Sequence, residues 1–420
     1  MSREPLRICM FSNLYTPIAS GSSVQSSSLS RELVRRGHRV TVITARVLDD
    51  TPERETLDGV EVHRIPAFRL PRMSLTLNFP WISYTFTPRN QRRIREILQE
   101  CGPSVLHLHN HMFDLSLSAV RMRAQFHKPL VITIHTILKH ARRMWNLLLC
   151  PADRLLLRHL VVNKADALIC PDVNIEQYVS EAFPNAHTQL IPYGIDIPHP
   201  PSGEAICEIK HRYNLAGKRV ILSLGHVHEV RNRKELVEAL PEVLKVFPNT
   251  VLLVVGAVST DSPSVLARRL GVEGSVVFTG PLPHSQVPAL LAAADLEAHW
   301  LNQDVAEMTS LGIATLEAMG AGKAVVTVAN QDTHGPGVIR NGENLVLVSR
   351  SKPGEITRNL IKLLADEERR KVIGAAASKT VREHFSWDVV CERTVDLYAA
   401  LCKSSLGRGP TGTSCAKPTS

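Results

Sequence analysis

Short apolar runs alternate with amphipathic stretches along the whole 420-residue chain. That alternation predicts repeated β-α units built on parallel sheets. In the first half, "LRICMFSNLY", "RVTVITA", "GVEVHRIPA", "SVLHLHN", "PLVITIH", "ADALICPD" and "TQLIPYGID" read as strands. A polar stretch, "PIASGSSVQSSSLSRELVRRGH", reads as a glycine-containing loop entering a helix that stops at Gly37, and "RNQRRIREILQECG" and "LSLSAVRMRAQFH" read as further helices. The Pro-rich "IPHPPSGEA" interrupts the rhythm, which then restarts at "RVILSLGHVHE" and runs through "TVLLVVG", "SVVFTG", "LEAHW", "AVVTVA" and "LVLV". The pattern divides the chain into an α/β domain over residues 1–198, a second over 199–385, an amphipathic helix over 386–403 and a tail over 404–420 too poor in apolar residues to fold. Open parallel sheets take ligands at the carboxyl ends of their strands. Two such domains facing each other would put a site in the cleft between them.

Composition narrows the class. With 44% apolar and 21% charged residues and no run of about 18 apolar residues, a soluble protein without a transmembrane helix is expected. The amino-terminal residues lack the apolar core of a secretory signal, so a cytoplasmic location is expected. The eight cysteines are scattered without CxxC spacing and read as free thiols. The net charge of +9 is concentrated between Arg89 and Lys164, which holds 13 Lys/Arg and 4 Asp/Glu. In "KHARRMWNLLLC" and "DRLLLRHLVVNK", arginines and leucines interleave at helical spacing beside Trp145. This suits an interfacial helix on an anionic membrane, a site for an anionic acceptor using Arg142 and Arg143, or a packed helix with a solvated basic edge. No nucleic-acid-binding module is present, and nucleic acid is not expected as a partner.

Several positions carry candidate chemistry. Helix amino-termini offer unpaired N–H groups to phosphate, and two strand-to-helix turns look suited to this: Gly21-Ser22, and Thr309-Ser310-Leu311-Gly312 ahead of the helix bearing Glu317. "GAGKA" is not a P-loop, since Glu317 stands where glycine is needed and Ala324 where Ser or Thr is needed. No GxGxxG follows the first strand, which disfavours a dinucleotide oxidoreductase. In "GHVHEVRNRKEL", His226, Arg231 and Lys234 lie between a strand and a helix and are candidate diphosphate contacts. His107, His109, Asn110, His111 and His135 gather at strand ends. A zinc site lacks a carboxylate or cysteine to complete it, so no metal is expected, and acid/base or hydrogen-bonding work on a hydroxyl substrate is the better reading.

Taken together and in order, these motifs resemble the family-4 glycosyltransferases. The resemblance covers residues 5–403 and rests on "YTPIASGSSVQSSSLSRELVRRGHRVTVIT", "VLHLHN", "PLVITIHT", "LIPYGID", "LSLGHVHEVRNRKELVEAL", "VVFTGPLPHSQVPALLAAADL", "LGIATLEAMGAGKAVV" and "FSWDVVCERTVDLY". It implies the GT-B fold, with two Rossmann-like domains, and transfer of a sugar from a nucleotide diphosphate sugar to a hydroxyl with retention and without a metal cofactor. The acceptor expected is a glycan or lipid. The resemblance further implies that Gly21 and Ser22 approach the phosphates and that His135, in the family's Thr-x-His, sits by the sugar. Arg231 falls at the family's phosphate-binding lysine, with Lys234 as fallback, and the Ser310, Leu311 and Gly312 amides would hold the donor. Glu317 matches the second glutamate of the E-x7-E motif and would bind the ribose diol. His109 and Asn110 fall on the acceptor side.

The chain departs from the family pattern at three places. Thr309 stands at the first glutamate of E-x7-E, His226 at the arginine usually paired with the lysine, and Gly-Ser replaces Gly-Gly. Thr309 or the nearby Glu307 is expected to supply the donor contact instead, so that His135, Thr309 and Glu317 form the expected catalytic set. A nucleotide-sugar epimerase and a non-catalytic sugar-nucleotide-binding partner stay open as alternatives.

Overall fold

The computed structural model describes residues 4–18, 20–71, 81–137, 143–229, 231–299, 301, 310–349 and 354–406. The chain forms two compact α/β units. One holds residues 1–171, 175–193 and 390–420, and the other residues 172–174 and 194–389.

The first unit contains strands β1 (Arg7–Ser12), β2 (Arg39–Arg46), β3 (Arg54–Leu57) and β4 (Val60–Pro66), then a hairpin, β5 (Phe68–Pro71) with β6 (Trp81–Tyr84). It continues with β7 (Val105–His109), β8 (Leu130–Thr133), β9 (Ala167–Cys170) and β10 (Thr188–Leu190). Its helices are α1 (Gly21–Arg35), α2 (Pro88–Cys101), α3 (Leu115–Phe126), α4 (Arg143–Pro151), α5 (Arg158–Leu160) and most of α6 (Val173–Ala182). The main sheet runs β10-β9-β8-β7-β1-β2-β4-β3, parallel throughout except for β3, which pairs antiparallel with β4. The order therefore reverses at β1 and β7, the position where such sheets hold ligands. Strands β7, β8 and β9 are buried along their whole length, as expected of a sheet covered by helices on both faces.

The second unit contains α7 (Gly203–Arg212), β11 (Arg219–Leu224), α8 (Lys234–Val246), β12 (Thr250–Val255), α9 (Ser262–Arg269), β13 (Val276–Phe278), α10 (Val287–Ala293) and β14 (Leu296–Ala298). It goes on with α11 (Ile313–Gly320), β15 (Val325–Thr327), β16 (Val346–Leu347), α12 (Glu355–Ala365), α13 (Glu367–His384) and the start of α14 (Trp387–Leu406), which enters the first unit from Val390. All six strands are parallel in the order β13-β12-β11-β14-β15-β16, the doubly wound Rossmann arrangement. Alternate residues feed two cores. Val220, Leu222 and Leu224 join one, and Ile221, Leu252 and Val254 the other.

Two of the stretches expected from the sequence take a different form. The boundary segment is shorter than the Pro-rich stretch, because Ser202 caps α7 through the Ala205 amide at 3.2 Å, so "GEA" already belongs to a helix. "TQLIPYGID" is a strand only over Thr188–Leu190. Its tail instead makes the turn at Gly194, where a Cβ would stand 2.3 Å from the Trp387 ring. Ile195 follows by donating its amide to Phe385 O at 2.9 Å. The "GAG" after α11 also has a packing role: a Cβ on Gly374 of α13 would lie 2.0 Å from Gly322 O. A helix and a turn meet there backbone to backbone.

Replacing Gly194 with Ala drives a methyl into the Trp387 ring. We expect Gly194→Ala to lower stability by about 1–3 kcal/mol, read as a lowered urea midpoint. An unchanged midpoint would show that the turn does not rest on that ring.

Candidate functional site

In the second unit the strand order reverses between β11 and β14, and the turns that follow β11 and its neighbour β12 pack against each other. Gly225 ends β11 at φ +108°, and Gly256 ends β12 at φ +141°. A Cβ on Gly256 would reach within 2.4 Å of Gly225 O, so the two turns stack main chain on main chain. The loop after Gly225 is pinned from inside by Arg233. This residue is 3% exposed and sits in the left-handed region at φ +68°. Its Nε donates to Ser223 Oγ at 2.8 Å, Nη1 to Arg231 O at 2.7 Å, and Nη2 to Leu224 O at 3.1 Å and Gly225 O at 3.0 Å. Glu297 of β14 is fully buried beside it, and its Oε1 accepts the Leu224 amide at 3.5 Å. Burial pushes the Glu297 carboxyl up to about 8, against the downward pull of the Leu224 amide and Arg233. Burial also lowers Arg233, to about 10, and holds His299, 3.4 Å from Glu297 Oε1, well below its usual range.

Three of the sequence candidates, His226, Arg231 and Lys234, lie on or at the end of the loop that this anchor holds. His226 is exposed, with Nε2 2.6 Å from Ser259 Oγ. Arg231 is half-buried, and burial lowers its guanidinium. Lys234 is the first residue of α8, its amide held by Asn232 Oδ1 at 3.0 Å. Ser310, Leu311 and Gly312 lead into α11, and Gly312 occupies the cap position with no side chain to satisfy the helix amides. The first turn of α11 carries no acidic residue, and among the described residues the buried hydroxyl of Thr315 has no partner and no side chain caps the helix. The helix start carries partial positive charge. One turn on, Glu317 is half-buried, and its Oε1 lies 2.7 Å from His284 Nε2. This pairing raises His284 above the usual imidazole range. Thr309 and Glu307 lie outside the described residues.

In the first unit, Gly21 and Ser22 are not in a loop. They form the first turn of α1, capped by reciprocal bonds between Ser20 and Ser23, with Ser23 N donating to Ser20 Oγ at 3.2 Å and Ser20 N to Ser23 Oγ at 2.8 Å. The serine-rich sequence favours capping over a flexible loop. A Cβ on Gly21 would meet nothing within 4 Å, so the position is open.

The histidines do converge. His107 and His109 share one face of β7, and the register sets His109 opposite Thr133 of β8. His109 Nδ1 is 3.0 Å from His135 Nε2, and His135 Nδ1 is 3.0 Å from the Tyr193 hydroxyl. Behind them, His107 bridges Thr133 Oγ1 at 2.8 Å and the Tyr398 hydroxyl at 2.6 Å. Burial lowers His107 to about 3, His135 to about 4 and His109 well below its usual range, so all three are neutral near pH 7. Asn110 takes the left-handed conformation at φ +75°, its amide donating to Thr133 O at 2.9 Å.

His111 leaves this group and pairs with Asp153 at 2.8 Å in a fully buried contact. That contact ties down the basic segment. It is not one continuous α-helix: α4 passes at Pro151 into a π-turn (Ala152–Leu157) and then α5. Asp153, Val161 and Val162 face inward, while Leu147, Leu155, Leu156 and Leu160 are exposed. Arg142 and the side chain of Arg143 lie outside the described residues.

Glu297 makes stability depend on pH. Its folded-state value, about 8, lies above the ordinary carboxyl value of 4.5, so the native state keeps a proton that the unfolded chain releases. The resulting stabilisation is complete below 4.5 and is lost as pH rises through 8. Glu297→Gln should flatten the fall in melting temperature over that interval. Parallel native and variant profiles would contradict it.

Comparison with known proteins identifies the family and the fold. Residues 19–198 match the family model for Glycosyltransferase Family 4, and residues 207–380 match that for Glycosyl transferases group 1. The chain is 29% identical over 258 residues to a GDP-mannose-dependent alpha-(1-6)-phosphatidylinositol monomannoside mannosyltransferase of Mycolicibacterium smegmatis, a match covering 60% of this chain and 66%, just under two thirds, of that relative. It is 28% identical over 410 residues to a D-inositol 3-phosphate glycosyltransferase of Xylanimonas cellulosilytica, covering 92% of this chain and 93% of the other. A sucrose-phosphate synthase structure from Thermosynechococcus elongatus superposes with a TM-score of 0.69 at 19% identity, over 96% of this chain and all of that one. With its two Rossmann-like sheets and both family signatures in sequence, the chain belongs to the family-4 glycosyltransferases of the GT-B fold.

Proposed function

We propose that the protein transfers a sugar from a nucleotide diphosphate sugar to a hydroxyl of a glycolipid, polysaccharide or small molecule, with retention and without a divalent metal. The observation that carries this reading is the start of α11: uncapped amides, a buried unpartnered Thr315 hydroxyl and a half-buried Glu317 on one short helix. The diphosphate would meet the α11 amides, with Arg231 supplying positive charge. Glu317 would accept both ribose hydroxyls, its carboxylate oriented by His284.

Transfer breaks the bond between the anomeric carbon and the phosphate oxygen and forms one to the acceptor oxygen on the same face. The departing phosphate oxygen is then well placed to take the acceptor proton. An imidazole held to about 4 is a poor base, so we assign His135 to hydrogen bonding with the sugar or acceptor, backed by His109 and Tyr193. The likeness to a phosphatidylinositol monomannoside mannosyltransferase supports a lipid acceptor.

The exposed leucines of the basic segment support reversible docking on an anionic membrane. Among the described residues, no helix is long and apolar enough to cross one. Docking is expected to bring more than half of the protein down with phosphatidylglycerol-containing vesicles at low salt, and Leu155→Ser with Leu156→Ser should abolish this. Equal sedimentation of native and variant would overturn docking through these leucines and leave the transferase reading intact.

Glu317→Ala should weaken binding of the cognate nucleoside diphosphate by about 10- to 100-fold, as expected for a lost charged hydrogen-bond acceptor. Calorimetric titration measures this, and product formation in the presence of EDTA tests metal independence. Unchanged affinity in the variant would contradict the assignment of Glu317.

A further inference from the structure

A cationic cavity lies in the first unit, away from every residue assigned above. We infer that this cavity, of about 300 Å³ at the amino-terminal end of α2, binds a phosphate group. Its lining includes Thr87, Gln91, Arg92 and Arg95 from α2 and its cap, and Arg121 from α3. Among the described residues, no carboxylate lines it.

The contrast with neighbouring arginines is informative. Arg93 pairs with Glu53 at 3.0 Å, Arg54 with Glu100 at 2.8 Å, and Arg123 with Asp166 at 2.8 Å. Among the described residues, Arg92, Arg95 and Arg121 have no such ion pair; Arg95 Nε only donates to Gln125 Oε1 at 3.1 Å. The nearby carboxylate of Asp114 is turned to the backbone, where Oδ2 accepts the Phe86 amide at 2.8 Å and the Thr85 hydroxyl at 2.9 Å. Three guanidiniums around one cavity repel each other unless an anion joins them.

Gln91 points to the same conclusion from inside. It is 5% exposed, its Nε2 lies 2.6 Å from Ser118 Oγ, and its Oε1 is buried with no partner. A half-satisfied amide is costly when buried. If the Ser118 hydroxyl donates to Oε1 instead, the Gln91 NH₂ becomes a donor toward the cavity. Three guanidinium forks, an amide and the positive end of a 14-residue helix match a tetrahedral oxyanion better than a planar carboxylate. The phosphate could belong to a soluble phosphorylated ligand or to a lipid headgroup, and the chemistry recognised is the same.

The test uses the full-length protein in two arms: calorimetric titration with inorganic phosphate, and flotation with phosphatidylcholine vesicles with or without phosphatidylglycerol. Arg121 is exposed and its removal should leave the fold intact, so Arg121→Gln is the primary variant. It should weaken binding at least 5-fold in the arm that binds, and Arg92→Gln with Arg95→Gln and Arg121→Gln should abolish that component. Arg268→Gln with Arg269→Gln, an exposed pair in the second unit, should leave it unchanged. Loss in the phosphate arm identifies a soluble ligand, and loss only in the vesicle arm identifies a lipid phosphate. The inference is overturned if native protein binds in neither arm, if the α2–α3 variants bind as native, or if the control pair weakens binding equally.

Discussion

The guanidinium of Arg233 holds the candidate donor site in shape. A buried arginine is costly unless its donors are satisfied, and this one satisfies four acceptors within the strand end and loop that surround it. Those bonds fix the path of the chain from Gly225 to α8, and with it the position of Arg231. Glu297 completes the arrangement by its position on β14 across the switch point, where burial keeps its proton on near neutral pH.

The first unit solves a different problem at its own switch point. Its ring nitrogens are held neutral by burial, so the cluster offers directed hydrogen bonds without fixed charge. Two chains of bonds result, Tyr193–His135–His109 and Tyr398–His107–Thr133. Such a surface suits a sugar or polyol hydroxyl. It gives no reason to bind a cationic or strongly anionic group.

Much of the fold was legible in the chain because parallel strands buried on both faces leave continuous apolar runs, and most of these became the strands expected. The hairpins β3-β4 and β5-β6 were not anticipated, since β3 is a short polar edge strand without an apolar run. The site was legible where a single segment carries it: Glu317 and Gly312 sit together on α11. It was hidden where partners come from distant segments. His284 meets Glu317 across 33 residues, and Tyr398 meets His107 across 291. Glu297 looked like the polar position of an ordinary strand, and Arg233 like part of a solvated basic loop. Only the sheet order brings them together. The Gly21-Ser22 turn was misread for a local reason, because serine can serve either a loop or a helix cap and here does the latter.

The central claim is that a nucleoside diphosphate is held by the amides at the start of α11 beside Glu317. Amide hydrogen exchange with and without saturating nucleotide diphosphate sugar reads this directly. The account predicts slowed exchange at residues 312–317 and along the loop from Gly225 to Arg233. Binding accompanied by unchanged exchange in both segments would contradict it.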